Sequence, residues 1–230
     1  MSSVDLMKLI QRNVLSLEPY HVEDNDCEIK LHANENPFPP SKELLDLFSA
    51  SLQKLQLNRY PDPDSKALKD SIANRLDIKT ERLVIGNGSD EIILFLLQVF
   101  CQEGDTIIFP EPTFAMYSII AQSLSIKSAS ISLDSQWNFN ADALLRSAEE
   151  NNSRIIFLSY PNNPTGNCFS DIQVQKVIES FQGIVVIDEA YHDFSRRSFI
   201  NQIEEHNNLV VLRSLSKIGL AALRVGFGVT

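Results

Sequence analysis

The sequence predicts an α/β protein, a three-layer α/β/α arrangement around a mainly parallel sheet, and two observations carry that reading. Short, almost wholly apolar segments alternate with helical ones from residue 83 to residue 212, the order that covers both faces of a parallel sheet. Polar, aromatic and turn-forming residues collect directly after the apolar segments, at Gly86–Asp90, Pro110–Phe114, Ser159–Gly166, Asp188–Tyr191 and Arg213–Lys217. Ligands bind such sheets at the carboxyl ends of the strands, so these five segments are where a site is expected.

Residues 1 to about 30 read as an arm with a short strand at Ile29–Leu31, and the prolines of His32–Pro40 hold an extended loop. Ser41 caps a helix running to Leu55, with Leu44, Leu45, Leu47, Phe48, Leu52 and Leu55 at near-helical spacing. Asp64 or Ser65 starts a second helix to Leu76, and Leu83–Ile85 is a strand. The alternation then runs helix Ser89–Phe100, strand Thr106–Phe109, helix 113–124, strand 126–131, helix 140–150 and strand Arg154–Leu158. It continues through helix 170–181 and the strands Ile184–Ile187 and Leu209–Leu212 to a final strand, Arg224–Thr230. Ending there leaves ladder groups and an apolar face to be covered by another chain. Residues 1–40 thus read as an N-terminal arm and loop, and residues 41–230 as one large domain, expected to be incomplete at its carboxyl end.

With 230 residues and 43% hydrophobic content the chain can bury a substantial core. Thirty acidic against twenty basic residues, a net charge of -10, argue against non-specific binding to nucleic acid or anionic membranes. Cys27, Cys101 and Cys168 lack C-x-x-C spacing, and His21, His32, His192 and His206 lack metal-ligand spacing, so neither a disulfide framework nor a zinc site is indicated. The opening residues lack the basic start and apolar run of a signal peptide, and a reducing cytoplasm fits. The apolar run Ile92–Leu97 falls far short of the ~20 residues that span a bilayer. Without a Gly-x-Ser-x-Gly elbow, serine hydrolysis is disfavoured.

The chemistry gathers around Lys217. The strand Leu209–Leu212 leads into Ser214, Ser216 and Lys217, and Arg224 follows. Between apolar segments loss of water favours the neutral amine, a nucleophile able to form a Schiff base; the plainer reading is a surface lysine in a turn. The hydroxyls and the arginine suit a phosphate. Gly86–Glu91 opens a helix, so backbone N–H groups and the Ser89 hydroxyl face an anion there, unless Ser89 or Asp90 is an ordinary N-cap. The loop has neither Walker spacing nor the third glycine of a dinucleotide-binding turn.

Asp188 follows four apolar residues at the mouth of a strand, where an unpaired carboxylate is costly. A protonated pyridine nitrogen would pair with it, letting pyridoxal phosphate act as an electron sink; a helix cap is the alternative. Tyr191 and the amide of Asn163 are placed to bond that ring's phenolate, although an Asn-Pro turn is also ordinary punctuation. Phe114 has the position to stack on a flat ring or to fill the core.

Seven segments in order, Asn34–Phe38, Asn58–Asp62, Gly86–Glu91, Pro110–Tyr117, Pro161–Gly166, Asp188–Tyr191 and Ser214–Arg224, resemble those of the fold-type I pyridoxal phosphate-dependent aminotransferases, most of all the histidinol-phosphate aminotransferase family. The resemblance spans residues 14 to 228. It implies three catalytic residues: Lys217 as the Schiff-base and proton-shuttling lysine, Asp188 on the pyridinium nitrogen and Tyr191 on the phenolate. It puts Asn163 with Tyr191 on the phenolate, Phe114 on the ring face, and Ser89, Asp90, Ser214, Ser216 and Arg224 around the phosphate. Tyr60 would reach the phosphate of a neighbouring subunit, implying a homodimer, and Tyr20 and Asn36 would lie near the substrate. The implied reaction moves an amino group between a small phosphorylated amine, L-histidinol phosphate, and a 2-oxo acid, 2-oxoglutarate, in histidine biosynthesis. Neighbouring readings are an aromatic amino acid aminotransferase, a decarboxylase of a phosphorylated amino acid, and a fragment that binds cofactor without turnover. Two departures stand out: the spacing from Lys217 to Arg224 is one residue shorter than the common form, and members of the family are longer, with a carboxyl-terminal domain that supplies a substrate-gripping arginine.

Overall fold

The computed structural model describes residues 5–18 and 28–230; Tyr20, His21 and Cys27 lie outside the described residues. Seven strands form one sheet: β1 (Leu83–Asn87), β2 (Thr106–Glu111), β3 (Lys127–Ser132), β4 (Ser153–Ser159), β5 (Ile184–Asp188), β6 (Leu209–Ser214) and β7 (Val225–Val229). They lie in the order β1-β7-β6-β5-β4-β2-β3. Pairs from β3 to β6 are parallel, while β7 runs antiparallel to both β6 and β1. The sheet is therefore mainly parallel, as the alternation of elements predicts. The expectation of an uncovered ladder at 224–230 fails, because the returning strand inserts between β1 and β6, pairs on both sides and buries Val229 completely.

Helices α3 (Lys66–Leu76), α4 (Ser89–Phe100), α5 (Met116–Ser123), α6 (Ala141–Glu150) and α7 (Asp171–Ser180) cover the sheet. The central strands β2, β4, β5 and β6 bury both faces, so adjacent residues serve different layers. Ile155 and Phe157 pack with Ile92, Leu97, Tyr117 and Ile120 of α4 and α5, whereas Ile156 and Leu158 pack with Leu144, Val174 and Val177 of α6 and α7. Each such side chain contributes about 1.5–3 kcal/mol by leaving water, and the two layers fix the sheet from which the strand ends project.

Several local expectations are corrected. Ile29–Leu31 forms no strand; Ile29 and Leu31 are largely exposed. The helix expected at 113–124 starts at Met116, because Pro112–Ala115 forms a loop. The helix α2 (Lys42–Leu52) is capped by Ser41 as expected but stops short of Leu55 and buries none of its residues. α3 does start after Ser65, as expected, but Ser65 makes no side-chain cap; the Asp62 carboxylate instead accepts from Lys66 N at 2.7 Å and from Asp64 N at 3.0 Å. Two short helices escaped the periodicity, α1 (Arg12–Leu15) and α8 (His192–Ser195). α1 is tied to the end of α5 by Asn13 Nδ2, which donates to Ser123 O at 2.8 Å.

One glycine sets how closely the layers approach the site. A Cβ on Gly226 would lie 2.3 Å from the Gly88 carbonyl carbon and 2.4 Å from Ser89 N, so β7 presses directly on the start of α4. Neither backbone has room to yield, and Gly226→Ala is expected to lower stability by about 1–3 kcal/mol. A urea titration reads this directly; an unchanged midpoint would show that the contact has slack.

Candidate active site

The strands β4, β5 and β6 end side by side, in a register that pairs Ser159 with Asp188 and Asp188 with Leu212. Over these ends lies a cavity of about 110 Å³ lined by Ser89, Asp90, Phe114, Ser159, Asn163, Asp188, Ala190, Tyr191, Ser214, Ser216, Lys217 and Arg224. Ten of the twelve are candidates read from the sequence; Ser159 and Ala190 are additions.

Lys217 sits in a tight turn after β6, half-buried, with Nζ donating to Ala33 O at 2.9 Å and lying 5.5 Å from the centre of the Tyr191 ring. The segment before α2 therefore folds back over the lysine. Asn34 Nδ2 donates to the Tyr191 hydroxyl at 3.0 Å, and Asn36 packs against Gly219, whose added Cβ would lie 3.0 Å from its Nδ2. Asn34 is the residue the sequence reading missed; its positive φ of 51°, which asparagine tolerates better than most residues, is not visible in a run of Asn-Glu-Asn. Tyr60 is fully exposed and lines neither this cavity nor the one beside it.

A cradle of hydroxyls and amides forms one wall. α4 starts without a side-chain cap: the N-cap is Gly88 at φ 87°, not Ser89 or Asp90. Its first N–H groups therefore remain available to an anion. A Cβ on Gly88 would lie 2.5 Å from Arg224 Nη2, so the glycine admits the guanidinium as well as the turn. Arg224, seven positions after Lys217, lies in the left-handed region at φ 52°. Arg224 reaches Ser216 Oγ at 3.5 Å and Asp90 Oδ2 at 3.6 Å. Ser214 and Ser216 are hydrogen-bonded to each other at 2.9 Å. Burial pushes the Asp90 carboxyl up, with Arg224 and Lys217 pulling it back.

Asp188 forms the floor. It is 3% exposed, its Oδ2 accepts from the Tyr117 hydroxyl at 2.8 Å, and its Oδ1 accepts from Ala190 N at 3.1 Å. It thus supplies a local cap as well as facing the cavity. Burial raises its pKa to about 6, against the pull of the Tyr117 hydroxyl and the Ala190 amide. Among the described residues no cation pairs with it. A buried carboxylate with spare lone pairs and no cation, facing a lysine and a phosphate-type cradle, fits a ring with a protonated nitrogen at one end and a phosphate at the other.

Three further residues escaped the sequence reading. Asn162 is buried, accepting from Thr113 Oγ1 at 2.8 Å and donating to Pro112 O at 3.0 Å, and so locks the loop that carries Phe114 to the turn that carries Asn163. Glu189 is buried against Arg213 at 2.9 Å and also accepts from Ser198 Oγ and Phe199 N. This network ties the ends of β5 and β6 together on the side away from the cavity. The sequence hides such a pair, because Arg213 and Glu189 each read as one more polar residue at the end of an apolar strand.

A second cavity of about 510 Å³, bounded by Leu31, Asn34, Glu35, Cys168 and Phe194 among others, shares Asn163 and Tyr191 with the first. A groove of about 720 Å³ lies elsewhere, over α7, where Asp171 accepts from the Tyr160 hydroxyl and pairs with Arg197 at 2.6 Å. Its lysine, Lys176, is paired with Asp142 at 2.7 Å, and its Ser198 hydroxyl donates to Glu189. His192 Nδ1 lies 3.0 Å from Arg197 O and forms no catalytic triad. Among the described residues no helix is long and apolar enough to cross a membrane.

A family model described as aminotransferase class I and II matches residues 27–230. A histidinol-phosphate aminotransferase of Nitrosococcus oceani is 38% identical over 218 residues, covering 94% of this chain and 61% of that protein. The crystal structure of the histidinol-phosphate aminotransferase from Clostridium acetobutylicum superposes with a TM-score of 0.75 at 27% identity, covering 86% of this chain and 59% of that one. That of the Sinorhizobium meliloti enzyme, in complex with pyridoxal-5'-phosphate, gives a TM-score of 0.77 at 21% identity, covering 86% and 55%, a likeness of fold. The chain spans roughly three fifths of the length of the curated relatives it matches.

Proposed function

The chain belongs to the class I and II aminotransferases, and on that premise we propose that it carries the cofactor core of a pyridoxal 5′-phosphate-dependent transaminase acting on L-histidinol phosphate and 2-oxoglutarate in histidine biosynthesis. The observation that carries the reading is the convergence of Lys217, Asp188 and an uncapped α4 on one cavity. When bound, pyridoxal phosphate supplies an aldehyde for an amine to condense with and a ring that takes up the electron pair released at the substrate Cα. Lys217 would be that amine, and its free Nζ would be the base that carries the proton off the substrate Cα. Asp188 holds negative charge against the ring nitrogen, Asn163 and Tyr191 hold the phenolate, and Phe114 stacks on the ring. The first-turn amides of α4, including those of Ser89 and Asp90, join Ser214, Ser216 and Arg224 in holding the phosphate. The Asp90 carboxylate itself accepts only, so its part is to orient Arg224.

Tyr20 and Asn36 belong to the substrate side, together with the larger adjoining cavity. Tyr60 serves a neighbouring subunit in a homodimer, a reading supported by its full exposure and by the largely exposed Leu47, Leu52, Leu55 and Leu57 preceding it. Residues 41–230 act as the cofactor-binding domain and residues 1–40 as its arm, in a cytoplasmic enzyme. A second reading, that this chain holds cofactor without turnover, is favoured by its coverage of only 61% of one relative and 64% of another; a transamination assay on the 230-residue chain decides between them.

The cofactor reading has a direct test. Mixed with pyridoxal phosphate, the chain should develop a visible absorption band, and reduction with borohydride should fix the cofactor on the peptide containing Lys217, read by mass spectrometry. Labelling spread over surface lysines, with no preference for Lys217, would sink it.

A further inference from the structure

Tyr117 is a fully buried side chain beside the site, and the reaction gives it nothing to do. It is the second residue of α5. Its ring stacks on Phe157 of β4 at 4.7 Å and 16°, meets the edge of Phe114 at 5.6 Å and 85°, and lies 6.0 Å from Phe109. Such a setting fixes the ring plane, since aromatic pairs favour offset-stacked and edge-on geometries and an interior this dense leaves no alternative rotamer. The hydroxyl at the end of this clamped ring donates to Asp188 Oδ2 at 2.8 Å.

We propose that Tyr117 is a positioning residue of the cofactor site, joining the carboxylate that faces the ring nitrogen to the phenylalanine that faces the ring plane. The proposal rests on the pyridoxal phosphate reading above. With one oxygen of Asp188 held by Tyr117 and the other by Ala190 N, the carboxylate cannot rotate, and its remaining lone pairs keep one direction toward the cavity. The hydroxyl does not exchange this role for an anionic one: burial and the charge of Asp188 hold Tyr117 well above its usual pKa, with Asp90 acting in the same sense. Asp90 of α4 and Glu189 next in the chain both favour protonation of Asp188, so Tyr117 and Ala190 are the groups that keep it an acceptor.

The test uses Tyr117→Phe, which keeps the aromatic clamp and removes only the donor, with the pyridoxal phosphate dissociation constant measured by fluorescence from pH 5 to pH 8. Loss of a hydrogen bond to a charged group predicts about ten- to hundred-fold weaker binding near neutrality. The pH at which affinity falls should also move upward, because Asp188 takes its proton more readily without the donor. On an Asp188→Asn background the same substitution should cause at most a small further loss, since the hydroxyl acts through the carboxylate. Equal losses in both backgrounds would mark a merely structural role and overturn the proposal, as would an unchanged dissociation constant and pH midpoint. Tyr117→His, which keeps a ring donor, gives a second reading if Tyr117→Phe folds poorly: affinity nearer wild type than an Ala variant supports the role, and affinity equal to the Ala variant refutes it. Failure of the wild-type chain to bind pyridoxal phosphate would instead refute the function on which the inference rests.

Discussion

Lys217→Ala is expected to abolish measurable amino transfer, with about 10²–10⁴-fold lost from proton transfer alone and more from the missing covalent step. The fold should survive. The lysine is half-buried in a loop turn; among the described residues it donates one hydrogen bond, to Ala33 O at 2.9 Å, and faces the Tyr191 ring at 5.5 Å, so its removal costs about 1–2 kcal/mol. The cradle does not depend on it either: Ser214, Ser216 and Arg224 are held by one another and by the Leu215–Val225 backbone bond at 3.0 Å. The variant should therefore still retain pyridoxal phosphate in equilibrium dialysis while losing the visible band and the borohydride-fixed adduct. Activity within about tenfold of wild type would remove Lys217 from its role. Loss of cofactor retention together with activity would show that the lysine is part of the cradle.

The alternation of apolar strands with helices made the layers legible because each buried strand is nearly uniform: β4 and β6 bury Ile155–Ser159 and Leu209–Leu212 without interruption. Strand ends were legible for a related reason. A polar residue directly after such a run, as at Asp188 or Ser214, has nowhere to stand except the sheet's edge. What periodicity could not reveal were effects between elements distant in sequence. The bond from Tyr117 to Asp188 joins residues 71 positions apart, and the antiparallel insertion of β7 between β1 and β6 follows from pairing rather than from composition. Tyr117 reads in sequence as one more apolar position of a helix, and only the tertiary fold turns its hydroxyl toward the carboxylate. α2 shows the converse: its leucine pattern announces a buried face, yet among the described residues none of its side chains is fully buried, and Leu45, Leu47 and Leu52 are exposed.

Asp188→Asn separates what the site costs the fold from what it gives the reaction. The folded-state pKa of Asp188 is raised from 3.8 to about 6, so the folded chain holds its proton more tightly than the unfolded chain. Stability at this site is then greatest at low pH, falls as pH rises from near 3.8 through about 6, and stays low above that. Two pKa units correspond to about 3 kcal/mol, the penalty for keeping a buried carboxylate ionised at neutrality. Asparagine removes the charge at nearly constant shape. Its carbonyl can accept from Ala190 N while its amide donates to the Tyr117 hydroxyl, which turns to accept. The cofactor-free variant should therefore be more stable than wild type by about 1–3 kcal/mol at pH 7 and equal to it near pH 4, measured by urea unfolding at each pH. Catalysis should move the other way, by about 10²–10³-fold, because a neutral amide no longer offsets positive charge on the ring nitrogen. A variant less stable than wild type at pH 7 would mean that Asp188 is already compensated inside the chain by a partner other than the cofactor, and the floor of the cavity would need a different account.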